Sequence, residues 1–125
     1  MENLQIKATS KTPGVFFDAK KGTLEIEGRL IPDDAKAFYK TLFDWIDQYC
    51  ENPAAKTVVK FYFEFLNTPS KKSIMDILRK LEKLYKKGND VKVLWQYDED
   101  DEDSMEEGHD FGSILSIPFE VIKRT

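Results

Sequence analysis

Thr57-Val58-Val59-Lys60-Phe61-Tyr62-Phe63-Glu64-Phe65-Leu66-Asn67-Thr68-Pro69-Ser70 is the stretch on which the reading of this chain turns. Side chains of an extended strand alternate between two faces, so Val59, Phe61, Phe63 and Phe65 fall together on one face, with Val58, Lys60, Tyr62, Glu64 and Leu66 on the other. A wholly apolar face in a run rich in β-branched and aromatic residues predicts an interior strand. The strand then breaks at Asn67-Thr68-Pro69-Ser70 into a run with a different period. Ile74, Ile77, Leu78, Leu81, Leu84 and Tyr85 recur every three or four residues, which predicts an amphipathic helix that stops near Gly88.

Outward from this junction the two periods alternate. Upstream, Ala35, Phe38, Leu42, Trp45, Ile46 and Tyr49 form a helical stripe that starts after Pro32-Asp33-Asp34 and ends at Asn52-Pro53. Before it, Leu24, Ile26, Gly28 and Leu30 alternate with polar residues across a turn from Gly14 to Asp18, and Leu4, Ile6 and Ala8 alternate near the start, as in antiparallel strands. Downstream, Val91, Val93, Trp95 and Tyr97 predict another strand, followed by a short helix around Met105, Phe111 and Leu115 and a tail from Pro118-Phe119 that is a candidate last strand. Strands alternating with helices imply crossover connections, so the expected fold class is α/β, a mixed β-sheet with helices packed on it. The length of 125 residues accommodates one such domain, residues 1–125.

Composition narrows the function classes. Nine of the 23 acidic residues lie between Asp98 and Asp110, so the rest of the chain carries more bases than acids. An acidic belt repels phosphates, which argues against nucleic acid and favours protein partners. The first residues lack the pattern of an export signal, and no stretch approaches the roughly 20 apolar residues of a membrane span, so no membrane insertion is expected and the expected location is cytoplasmic. The lone Cys50 reads as a small, partly buried side chain, in keeping with a reducing compartment. His109 is the only histidine, which leaves no triad to nominate, and the six glycines are scattered rather than gathered into a phosphate loop. Counted from Asp98 as an EF-hand, the sixth position, which needs glycine, holds Asp103. No catalytic residue, metal site or cofactor is expected.

The junction itself admits two readings. Thr68 before Pro69 has the form of a helix N-cap, its hydroxyl accepting an orphaned backbone N–H, with proline tolerated at the first helical position. The same hydroxyl is a candidate phosphate acceptor, because a helix start stabilises negative charge and Lys71 and Lys72 follow within a turn. Ser70 and Ser73 compete as acceptors.

Three spaced motifs bear on the choice: Asn67-Thr68-Pro69-Ser70-Lys71-Lys72-Ser73-Ile74 after a Phe-rich strand, Val93-Leu94-Trp95-Gln96-Tyr97, and Asp101 to Phe111 followed by Pro118-Phe119. Together they resemble the SiaC-type biofilm-regulation phosphoprotein family over about Gly22 to Phe119. Pro69 stands where that family usually has serine, and Ser104 and His109 stand where it often has methionine and glutamate. The resemblance implies a STAS-like fold, similar to anti-sigma-factor antagonists, and a non-enzymatic partner switch. In such a switch a cognate protein kinase phosphorylates Thr68, a PP2C-type phosphatase reverses this, and the unphosphorylated form binds and activates an effector such as a diguanylate cyclase. The implied partner surface comprises Asn67, Thr68, Pro69, Ser70, Lys71 and Lys72 at the helix start with Trp95, Tyr97, Asp101, Glu102 and Asp103. The competing expectation is an interaction module in which Thr68 serves only as the cap.

Overall fold

The structure, a computed structural model, describes residues 1–124; Thr125, the last residue of the expected domain, lies outside the described residues. Six strands form one mixed sheet in the order β1 (Leu4–Ile6), β2 (Gly14–Asp18), β3 (Thr23–Leu30), β4 (Lys56–Leu66), β5 (Asp90–Tyr97) and β6 (Phe119–Lys123). The first two pairings are antiparallel, and β3 to β6 run parallel. The hairpin between β2 and β3 turns on Asp18, whose Oδ1 accepts the N–H groups of Lys20 and Lys21, and on Gly22 at φ 73°.

Parallel neighbours require crossovers, supplied by α1 (Ala35–Glu51), α2 (Thr68–Lys86) and α3 (Glu102–Ser113). Each crossover moves one strand further in the same direction, and right-handed connections of that kind lay every helix on the same face. The core agrees: Phe17, Leu24, Ile26, Val59, Phe61, Val93 and Trp95 from the strands pack against Leu42, Trp45, Ile46, Tyr49, Ile74, Leu78 and Phe111 from the helices. Each such side chain, fully buried, contributes roughly 1.5–3 kcal/mol. On the first helix the inward stripe includes Tyr39, at 3% exposure, with Phe38 only partly covered.

Among the described residues the opposite face carries no helix. Its strands cover themselves with cross-strand charge pairs, Glu25 with Lys60 at 3.8 Å and Lys92 with Glu120 at 3.3 Å. Because the strand order never reverses among the described residues, the sheet has no switch point of the kind where α/β folds hold nucleotides.

One expected feature of the sheet is overturned. Register against β3 runs Gly28 to Phe63 and then Arg29 to Phe65, leaving Glu64 as an extra residue. This bulge reverses the alternation, so Leu66 turns inward at 9% exposure and Phe65 turns out to solvent at 48%. Phe65 therefore leaves the apolar face on which strict alternation had placed it.

Candidate functional site

The bulged end of β4 feeds directly into α2, and the cap at that junction is Asn67 rather than Thr68. Asn67 is extended, at φ −74° and ψ 163°, and its Oδ1 accepts the Ser70 N–H at 3.0 Å. The first intrahelical bond runs from Lys71 N–H to the Asn67 carbonyl at 3.1 Å. Thr68 is thus the first helical residue and Pro69 the second, so the helix starts one residue earlier than the sequence pattern suggested. Asparagine caps at least as well as threonine, which is why the register moved. The Thr68 hydroxyl is exposed and makes no hydrogen bond to any described residue. The reading of Thr68 as only a cap is corrected on this geometry.

Beyond the bulge a cleft of about 410 Å³ opens at the carboxyl ends of the parallel strands. Glu64, Phe65 and Leu66 form one wall, Lys71 stands at its α2 side, and Asp101, Asp103, Glu106, Glu107 and Asp110 line the α3 side. The third helix begins here with a cap of its own: Asp101 accepts the Ser104 N–H at 3.0 Å, and Glu102 and Asp103 occupy the first turn, where the helix dipole favours carboxylates.

Small residues seat this helix on the sheet. A Cβ on Gly108 would lie 2.5 Å from the Trp95 ring, and one on Gly112 would lie 2.8 Å from Phe119. The helix backbone therefore rests directly on two aromatic faces. The Trp95 indole N–H donates to the Ser104 carbonyl at 2.9 Å, and the ring packs against Phe61, Phe63 and Phe111. One ion pair joins the two helices across the cleft, Lys71 Nζ to Glu107 Oε2 at 3.1 Å.

On the other side of the α2 start, Tyr39, Phe43, Pro69, Lys72 and Ser73 line a shallower groove between the first two helices. The Tyr39 hydroxyl is buried there without a hydrogen-bond partner among the described residues. Burial pushes its phenol up to about 12; the neighbouring Ser70 hydroxyl pulls the other way without reaching good hydrogen-bond geometry.

The expected surface residues divide accordingly. Thr68, Pro69, Lys72, Glu102 and Asp103 are exposed, and Asn67, Lys71, Tyr97 and Asp101 are half-buried, all around the carboxyl ends of β4 and β5. Two are corrected. Trp95 is 1% exposed and is the floor under α3, because a strand residue of that phase must face the helices. Ser70, also 1% exposed, points into the α1 and α2 contact, so neither partner contact nor phosphorylation reaches it in this fold. Ser73 is half-buried in the groove. His109 is exposed, and Cys50 is half-buried near the end of α1, where burial raises its thiol pKa.

Two contributors were not seen in the sequence. Phe65 needed knowledge of the bulge; the signal available was the clash between its phase and the apolar Leu66 beside it. Glu107 was one acid among nine, and only the packing of α3 against α2 singles it out.

Sequence and structure comparisons follow the same outline. A family model described as SiaC family regulatory phosphoprotein matches residues 6–124. A protein of Pseudomonas aeruginosa strain UCBPP-PA14 is 29% identical over 121 residues, covering 97% of this chain and 96% of that one. The crystal structure of apo-SiaC from Pseudomonas aeruginosa superposes with a TM-score of 0.90 at 28% identity, over 97% of this chain and 98% of that one. SiaC in a crystal structure of the diguanylate cyclase SiaD with its activator SiaC, from the same organism, superposes at 0.92 with 28% identity, over 97% and 99%. With nearly its whole length matched, this chain belongs to the SiaC family of regulatory phosphoproteins.

Proposed function

We propose that residues 1–125 act as one cytoplasmic regulatory domain without catalytic activity, switched by reversible phosphorylation of Thr68. In the unphosphorylated form the domain binds and activates a diguanylate cyclase, feeding cyclic di-GMP signalling and biofilm formation. A protein kinase would transfer the terminal phosphoryl group of ATP to Thr68 Oγ1, the hydroxyl losing its proton and ADP leaving; a PP2C-type phosphatase would hydrolyse the ester.

The observation that carries this reading is the separation of cap from acceptor. Asn67 satisfies the helix start, which leaves the Thr68 hydroxyl exposed and without a structural task. The effector reading is supported by the likeness to SiaC in its complex with the diguanylate cyclase SiaD. The proposed contact surface joins Asn67, Thr68, Pro69, Lys71 and Lys72 to Tyr97, Asp101, Glu102 and Asp103, with Phe65 added as an exposed aromatic anchor.

Two measurements test the switch. Intact mass of protein purified from its host is expected to show a species heavier by one phosphate that Thr68→Ala abolishes. In titrations against the cyclase, Thr68→Asp is expected to weaken binding by about tenfold, since charge at an interface built for a neutral hydroxyl costs on the order of 1.4 kcal/mol. No phosphorylated species under any growth condition, together with unchanged affinity for Thr68→Asp, sinks the proposal.

A further inference from the structure

Lys71 follows Thr68 by one turn of α2 and reaches across to the third helix. It lies three residues after Thr68 on α2, a spacing at which helical side chains are neighbours, and its long stem leans toward the helix start. Its ammonium is now engaged by Glu107 on α3, at 3.1 Å. Glu107 Oε2 is a buried atom that receives no hydrogen bond from any described residue, so Lys71 is the cation that compensates it. The other charged groups lining that cleft, Glu64, Asp101, Asp103, Glu106 and Asp110, are all acidic. Among the described residues no second cation lines the cleft to replace Lys71.

A phosphate on Thr68 carries about −1.5 to −2 charges and three strong acceptor oxygens, against the single carboxylate oxygen that Lys71 now meets. Lys72, the other lysine within one turn of Thr68, is exposed on the opposite side of the helix start and lines the groove with α1. One lysine does not neutralise a dianion. The geometry points to an exchange of partners: phosphorylated Thr68 draws Lys71 away from Glu107, leaves the inward-facing Glu107 Oε2 without its cation in an acidic cleft, and so loosens α3 from the sheet. The inference rests on the Thr68 switch and names how the modification would travel from the helix start to the acidic surface, about one helix width away.

The consequence for α3 is specific. Its seat is the Trp95 and Phe119 rings under Gly108 and Gly112, with the Lys71 pair as its ionic tie to α2. Without Lys71 the inward-facing Glu107 Oε2 turns toward water, and that movement lifts its turn of α3 from Trp95.

The test uses the full chain assembled with phosphothreonine at position 68, so that no kinase is needed. Phosphorus NMR reads the titration midpoint of the phosphate, and amide hydrogen exchange reads residues 102–113. Lys71→Met is expected to raise the phosphate midpoint by about half a pH unit, the size of a surface ion pair. Glu107→Gln, which releases Lys71 from its present partner, is expected to lower it. Phosphorylation is expected to speed exchange in α3 several-fold in the parent protein and not in Glu107→Gln. Unphosphorylated Lys71→Met is expected to exchange like the phosphorylated parent.

A midpoint that responds to Lys72→Met and not to Lys71→Met overturns the proposal, as does α3 exchange indifferent to the phosphate. Either result leaves the Thr68 switch standing. A host protein that never carries phosphate removes the switch and leaves the exchange of partners measurable in the synthetic chain.

Discussion

At the amino end of β4 the polar groups are closed on one another, whereas at its carboxyl end, eleven residues along, the chain spends its last turns on exposure. Near Lys56 the buried hydroxyls of Tyr49 and Thr57 are paired at 2.8 Å, the Ala54 N–H donates to Tyr49 Oη at 3.2 Å, and the Val58 N–H donates to the Gly22 carbonyl at 2.8 Å. Glu82 extends this closed half, accepting the Ser116 N–H and the Arg79 guanidinium, both at 2.8 Å. Beyond Phe63 a bulge turns an aromatic ring outward, an acidic cleft opens, and Thr68 stands free. The difference separates stability from recognition along one strand. Complete hydrogen bonding at one end holds the sheet, and irregular backbone at the other aims side chains that the core does not need.

The sharpest way to break this contrast is a paired substitution. Gly22 has φ +73°, and a Cβ there would lie 2.1 Å from the Lys56 carbonyl oxygen, a backbone atom that cannot swing aside. Gly22→Ala is expected to lose about 3 kcal/mol of stability in urea unfolding, from left-handed strain and overlap together. Phe65→Ser, at the open end, is expected to stay within about 0.5 kcal/mol while weakening partner binding. Equal losses from the two would erase the division.

Glu82 gives a smaller effect with a pH signature. The Ser116 N–H, then Arg79, stabilise its carboxylate and hold its pKa below the ordinary glutamate value, although the residue is only 5% exposed. A carboxylate lowered in the folded state binds fewer protons there than when unfolded. Its contribution is therefore present above about pH 4.3 and is lost as pH falls through the lower folded value. Glu82→Ala is expected to destabilise by about 1–3 kcal/mol at pH 7, leaving donors unpaired, and the gap to the parent is expected to narrow in unfolding curves below pH 4.

The smallest effect separates Asn67 from Thr68. Asn67→Ala is expected to lower stability by about 1 kcal/mol through loss of the cap, and Thr68→Ala to leave the melting temperature essentially unchanged. A comparable loss from Thr68→Ala would return the capping task to the threonine.

Much of the scaffold was legible in the chain because its patterns are local. The inward stripes of α1 and α2, the turn at Gly22 and the strand around Val91 to Tyr97 follow from periods of 3.6 and 2, which neighbouring residues alone can express. The alternation also implied the crossovers, and with them a mixed sheet bearing helices. The site was legible as a place: the junction after β4 and the acidic run after β5 do meet at the carboxyl ends of the strands.

What each residue does there was decided by contacts between distant segments. Trp95 looked like a surface aromatic beside an acidic run until Gly108, thirteen positions on, laid α3 across it. Phe65 and Leu66 exchanged faces because β4 carries one residue more than β3 offers as partners, a mismatch that no single strand reveals. Asn67 and Thr68 are both good caps by type, and in the fold it is the Asn67 side chain that meets the Ser70 N–H. The sequence by itself determined the elements, their order and the presence of a hydroxyl at the head of α2. Only the tertiary structure decided which side chains are floor, cap, tie and surface, because those roles depend on register and packing across residues far apart in the chain.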